Sequence, residues 1–374
     1  MAKRYLAWYA GFVVSVGLVG PMLMVYAIDP LQLFRRAPYA AVFSTNERYQ
    51  LPGLARNYDY DTVIVGSSMA QNFYLGYADR ELRARTLKLA ISGSSAHEQF
   101  LILNVALRTG KVKRVVWSLD QWEFRGSPQR VRDDLGVFPY DLYEPGLFGY
   151  FWYLFNGSNV SESVAILTDR SRIFGSAATR VPDDWNTFDK FYRFSRVNAL
   201  RDFFNPENYK SFEDVEKLQK DYDLSVMERS FRENTLAVVQ SHPKIEFDVY
   251  FPPYSILNAK FYQKNFPPLF RRLIDFQNLV IRSLVGIKNV RLFDFSDVTS
   301  ITQNLDLYKD MGHFDVSVNE YIIRSIATGR HRVDPVDPEA STRRLAEQAA
   351  AYPTPQPPTA ASSAPTEADH QASR

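Results

Sequence analysis

The chain has no cysteine and only five histidines in 374 residues. The first absence excludes a disulfide framework, a thiolate nucleophile and any zinc site built on sulfur. An excess of one charge is missing too, since 44 Lys and Arg face 42 Asp and Glu and leave a formal charge of +2. That balance supplies no basic field for nucleic acid. With 45% hydrophobic residues, a chain of this length can build one large domain or two ordinary ones.

What is present begins with an uncharged run. From Tyr5 to Ile28, 24 consecutive residues carry no charge, between Lys3-Arg4 and Asp29. As a helix they would reach about 36 Å, enough for a hydrocarbon core of about 30 Å. Trp8, Tyr9 and Tyr26 suit its two interfaces. Residues 1–30 therefore read as a cytoplasmic start and a transmembrane anchor, followed by a linker at 31–60. The rival is a cleaved signal peptide ending at Val25-Tyr26-Ala27, although its apolar region would exceed the usual length of about 7–15 residues. Lys3 and Arg4 favour a cytoplasmic amino terminus, while Arg35, Arg36 and Arg48 follow on the far side. A four-residue tail ahead of the span is the usual signal-anchor arrangement, which exports the bulk of the chain.

Beyond residue 60 the pattern alternates. Short apolar runs at Thr62–Val65, Leu87–Ile91, Val112–Leu119, Ile245–Phe251 and Val290–Phe293 are separated by helical stretches. These include Ala96–Arg108, Asn258–Leu284 and Val316–Ala327. Buried strands alternating with helices predict an α/β fold, a three-layer parallel sheet spanning 61–332. Ligand sites in such sheets lie beyond the carboxyl ends of the strands. Residues 124–244 break the rhythm and read as an insertion between the third and fourth strands. Within it, 9 of the 18 residues from Phe138 to Phe155 are aromatic. This run is either a helix packed on the core or a platform against a membrane, an acyl chain or a partner. The Pro/Ala/Ser-rich end, 333–374, predicts a disordered tail, with 341–351 transiently helical.

Of the histidines, His370 and His331 lie in or beside that tail, and His242 precedes a proline. His97 and His313 remain. Asp310-Met-Gly-His313 lets a carboxylate reach the imidazole Nδ1 and leaves Nε2 free as a base. The plainer reading is a helix-entry turn with a capping Asp. Gly66-Ser67-Ser68-Met69 follows the first strand and opens a helix, which aims a hydroxyl into the crevice. Ordinary capping by Ser67 or Ser68 would use the same residues. Ser92-Gly93-Ser94-Ser95 repeats the turn after the second strand, with Ser95 and Glu98 fitting a capping box.

Taken in order, a serine after strand one, a glycine after strand two and D-x-x-H after the last strand resemble the SGNH, or GDSL-like, hydrolase superfamily. The resemblance covers roughly residues 60–328. It implies a flavodoxin-like sheet, Ser68 as nucleophile, Gly93 as oxyanion donor, and Asp310 with His313 as the remaining triad. A working pair requires Ser68 Oγ and a ring nitrogen of His313 within about 4 Å. Ser67 replaces the family's first-block Asp. The third-block Gly-x-Asn is replaced by Ser118-Leu-Asp120-Gln121-Trp122. Gln121 could stand in as an amide donor, and Asp120 could bind a hydroxyl or support its loop. With an N-terminal anchor, the Gly-Ser-Ser block is similar to membrane-anchored SGNH-like proteins of alginate O-acetylation and teichoic-acid D-alanyl transfer. That likeness implies an inner-membrane protein with a periplasmic domain that transfers acyl groups to a cell-envelope polysaccharide. It also implies a membrane-bound O-acyltransferase as working partner and no metal or diffusible cofactor. The alternative is a catalytically weak scaffold of the same fold.

Overall fold

The structure is a computed structural model and describes residues 4–5, 8–9, 11–12, 15–44, 46–144, 146–177, 180–210 and 215–358. Its principal elements begin with α1 (Gly20–Ile28), α2 (Glu47–Asn57), β1 (Thr62–Gly66), α3 (Leu75–Leu82), β2 (Thr86–Ala90), α4 (Ala96–Arg108) and β3 (Arg114–Ser118). The middle of the chain forms α5 (Leu147–Phe155), α6 (Gly157–Thr168), α7 (Leu224–Phe231) and β4 (Glu246–Phe251). It ends with α8 (Ile256–Asn265), α9 (Pro267–Leu284), β5 (Val290–Asp294), α10 (Val316–Thr328) and α11 (Ala340–Ala351).

The five strands form one parallel sheet in the order β2-β1-β3-β4-β5. Val65 on β1 pairs with Leu89 on one side and Trp117 on the other. Every residue of β1 and β2 is buried. Side chains alternate between the two faces of a strand, so both faces of the sheet are covered. The chain steps from β1 to β2 in one direction and from β2 to β3 in the other. Right-handed crossovers therefore put α3 and α4 on opposite faces. α10 returns to pack on α3, while α9 packs on α7 and α8. The order reverses between β1 and β3, which opens a crevice at their carboxyl ends. All five expected strands are present within a residue or two of their apolar runs. The expected helix over 258–284 is two helices, because Phe266-Pro267-Pro268 ends α8 and places prolines at the start of α9.

The chain divides into two compact units that depart from the expected boundaries. One comprises Met1–Asp59, Asn104–Lys111 and Asp133–Trp185; the other comprises Tyr60–Leu103, Val112–Arg132 and Asn186–Arg374. The expected linker, 31–60, lies in the first unit as far as Asp59 and is no mere linker. α2 buries Leu51, Leu54 and Ala55 completely, and a Cβ on Gly53 would come within 2.2 Å of the Leu31 carbonyl. The expected insertion splits, with Asp133–Trp185 joining the first unit and the remainder the second. Among the described residues no helix is long and apolar enough to cross a membrane. Of the expected span, residues 6–7, 10 and 13–14 lie outside the described residues, and a π-helical turn, Ser15–Val19, leads into α1.

The expected disorder from residue 333 is corrected as well. α11 is a full helix that packs on α8 and α9. Its Ser341 hydroxyl donates to Asp294 at 2.6 Å, Thr342 donates to Asn278 at 2.6 Å, and Lys260 Nζ donates to the Ala349 carbonyl at 3.0 Å. Small side chains let this alanine-rich helix approach closely, and Thr342 and Ala349 are fully buried. Residues 359–374 of the expected tail lie outside the described residues.

Candidate active site

The site grows from the end of β1, in the second unit. Gly66 is required there, since a Cβ would lie 2.8 Å from Ser118 Cβ and 2.9 Å from Ala70 Cβ. That close approach turns the chain sharply into a single 3-10 turn, Ser68–Ala70. Ser67 caps the turn, its Oγ accepting the Met69 N–H at 3.3 Å. Ser68 is half-buried, and its Oγ lies 2.8 Å from His313 Nε2.

His313 is held by Asp310 three residues earlier. Asp310 Oδ2 meets His313 Nδ1 at 2.7 Å, while Oδ1 accepts the backbone N–H groups of Gly312 and His313 at 2.8 and 2.7 Å. Burial pushes the Asp310 carboxyl up, but the adjacent His313, aided by Lys309, brings it well below the usual carboxylate range. An ionised Asp310 accepts from Nδ1–H, and in the neutral imidazole Nε2 is then the acceptor that faces Ser68. The Phe188 ring stands edge-on to the imidazole at 5.5 Å and fills its flank.

Two asparagines that the sequence motifs did not single out align the halves of the site. Asn72 Nδ2 donates to the Phe314 carbonyl at 3.1 Å, and its Oδ1 accepts the Phe188 N–H at 2.9 Å. Asn319, on α10, donates to the Met69 carbonyl at 3.2 Å. Both are buried. The available signal was a lone amide in an apolar setting, Asn72 beside Met69-Ala70 and Phe73, and Asn319 on the inward face of α10. The Met311 carbonyl accepts from the Ser255 hydroxyl at 2.7 Å, which pins the loop from its other side.

The segment after β3 does not supply the expected amide. Gln121 turns away and donates to Gln277 Oε1 at 2.7 Å, outside the Ser68 cavity, so its assignment as oxyanion or substrate donor is corrected. A capping box shapes this turn, Asp120 capping it while Glu123 reaches back to the Asp120 N–H at 3.1 Å; of the two residues between them, Trp122 lines the cavity and Gln121 does not. Asp120 itself reaches the site, but its carboxylate is taken. It accepts from the Ser67 hydroxyl and from Tyr254 OH at 2.8 Å, so it supports the loop. Burial raises the Asp120 carboxyl against the pull of those donors, and burial together with the Asp120 charge raises Glu123 further.

Gly93 lies on the same cavity, about 340 Å³, with Ser68, Asp310 and His313. Its φ of +57° is left-handed, and a Cβ would lie 2.8 Å from the Arg132 guanidinium. Arg132 Nη1 donates to the Gly93 carbonyl at 3.1 Å. The remaining candidate histidine, His97, is elsewhere, hydrogen-bonded to Asn234 at 3.0 Å and stacked on Phe100. A larger cavity, about 730 Å³, lies wholly in the first unit beside Leu31, Phe43 and Trp152 and holds none of these groups.

No family model matches this chain, and no curated protein matches its sequence.

Proposed function

We propose that the protein is a membrane-anchored, extracytoplasmic serine acyltransferase or esterase of SGNH type that acts on a cell-envelope polysaccharide. The observation that carries this reading is the unbroken chain from Ser68 Oγ to His313 Nε2 and from His313 Nδ1 to Asp310. Ser68 Oγ attacks the donor's acyl carbon as its proton passes to His313 Nε2. The tetrahedral intermediate collapses to an acyl-serine, and the leaving group takes the proton from His313. A polysaccharide hydroxyl, or water, then gives its proton to His313, attacks the acyl carbon and restores Ser68. The oxyanion would be held by backbone N–H groups of Ser68 and Gly93. The uncharged stretch from Tyr5 to Ile28 motivates the anchored, exported placement. A membrane-bound O-acyltransferase would supply acyl groups to such a protein.

A fluorophosphonate probe tests the chemistry. Covalent labelling should occur on Ser68, disappear in Ser68→Ala and fall sharply in His313→Ala. A folded wild-type protein that takes no label would overturn the reading. A second reading, a scaffold without useful catalysis, is favoured by the diversion of Gln121 to Gln277, which removes the side-chain amide from the oxyanion site. One missing donor costs about 100- to 1,000-fold in rate.

A further inference from the structure

Helix α5, Leu-Phe-Gly-Tyr-Phe-Trp-Tyr-Leu-Phe, contains no charged residue. Leu147, Phe148, Phe151, Trp152 and Phe155 are all exposed, the first two at 89% and 82%. Their spacing, i and i+4 repeated, puts them on one face. The opposite face is committed to packing. Tyr153 is buried with its hydroxyl donating to Asp29 at 2.7 Å, and Gly149 lies close against the Asp141 backbone. A contiguous apolar surface of this kind marks a contact that the isolated chain does not make.

What covers it follows from where α1 is fastened, within the same unit. α1 packs on α5 and α6. It ends at Asp29, which is fully buried and accepts the N–H groups of Leu33, Phe34 and Arg35 at 2.9, 2.8 and 2.9 Å. Arg35 returns to the Tyr26 and Ala27 carbonyls at the helix end. Phe34 packs on Tyr26 at 5.1 Å and on Tyr150 of α5 at 5.3 Å. The uncharged N-terminal stretch is thus keyed directly to α5. The unit also carries exposed Val164, Leu167, Ile173 and Phe174, with exposed Arg170 among them to meet lipid phosphates.

We infer that the α5 face inserts into the headgroup–acyl boundary of the bilayer that receives the N-terminal stretch. The first unit is then held by an interfacial helix as well as by the anchor. This rests on the membrane-anchored reading and extends it. The occupant is lipid, because the face is aromatic, uncharged and tied to the segment that enters the membrane.

The absence of cysteine makes the test direct. Leu147→Cys and Phe148→Cys, on the exposed face, carry an environment-sensitive fluorophore in the full-length protein. Leu23→Cys reports the anchor, and Val336→Cys, 89% exposed in the second unit, reports bulk water. In liposomes of phosphatidylethanolamine and phosphatidylglycerol, labels at 147 and 148 should be quenched several-fold more by shallow spin-labelled lipid than by aqueous iodide. The label at 336 should show the reverse. Lipid contact at 23 with water at 147 and 148 overturns the inference and leaves the anchor standing. Lipid contact at 147 and 148 with water at 23 upholds the interfacial helix and removes the anchor. Water at all positions removes both. Shielding of 147 and 148 from both quenchers means that protein covers the face, which also overturns the inference.

Discussion

Ser67 and Ser68 are adjacent, chemically identical and expected to fail in opposite ways when each is replaced by alanine. Ser67 is buried and donates to the buried Asp120 carboxylate while accepting the Met69 N–H at 3.3 Å. Losing a hydrogen bond to a charged group costs about 1.5–3 kcal/mol. Tyr254 still serves Asp120 at 2.8 Å, which holds the expected loss for Ser67→Ala near 2 kcal/mol. Ser68 is half-buried with one side-chain partner, His313, so Ser68→Ala should cost only about 1 kcal/mol. The effects on turnover should be reversed. Ser68→Ala should lower acyl-ester turnover by about 10⁴-fold or more, and Ser68→Ala/His313→Ala should be scarcely worse than Ser68→Ala alone. Ser67→Ala should retain turnover within about tenfold, since its hydroxyl makes no bond to the acyl group. Urea-unfolding midpoints of the detergent-purified full chain would be paired with turnover of an activated acyl ester. Polymer acylation in cells, at matched membrane abundance, provides the second readout. Equal loss of turnover in the two single variants, or retained turnover in Ser68→Ala, would refute the assignment.

Other expectations follow from neighbouring contacts. Asp310→Asn should lower turnover by about 10³- to 10⁴-fold through the wrong imidazole tautomer, with the fold retained by circular dichroism. Asn72→Ala should reduce kcat far more than it changes KM, because its amide ties the Ser68 turn to Phe314 and Phe188; an unchanged kcat would deny it that positioning role. Glu123 has a folded pKa raised above the ordinary 4.5 by burial and by Asp120. The stability it contributes is present below that value and lost as pH rises through the folded one. The thermal midpoint should therefore fall as pH rises above about 4.5, and Glu123→Gln should flatten the decline. An unchanged slope would remove Glu123 as its source.

Much of this architecture could be read from one-dimensional pattern. Strands buried on both faces appear as continuous apolar runs, so all five were visible without coordinates. The serine and glycine turns stand at strand ends, where parallel topology leaves the crevice, and the D-x-x-H turn reaches it from the segment ahead of α10. Burial of 31–60 and of α11 was not visible. Small and polar residues in those segments read as linker or tail until specific partners, such as Asp294 for Ser341, are in place.

Residue order supplied the candidates, a Ser67-Ser68 turn after the first strand and Asp310-x-x-His313 before α10, and the resemblance to SGNH hydrolases singled out Ser68 among them. Tertiary structure decided whether they meet. Ser68 and His313 are 245 positions apart yet 2.8 Å in contact, and the buried Asn72 and Asn319 beside them bond backbone carbonyls that no periodicity announces. It also decided against Gln121. Local spacing allowed an amide at the site, but Gln121 finds its partner in Gln277, 156 positions away, and points there. Strand and helix follow from short-range backbone and burial preferences repeated along the chain. The direction of one side chain depends on the partners that folding brings to it.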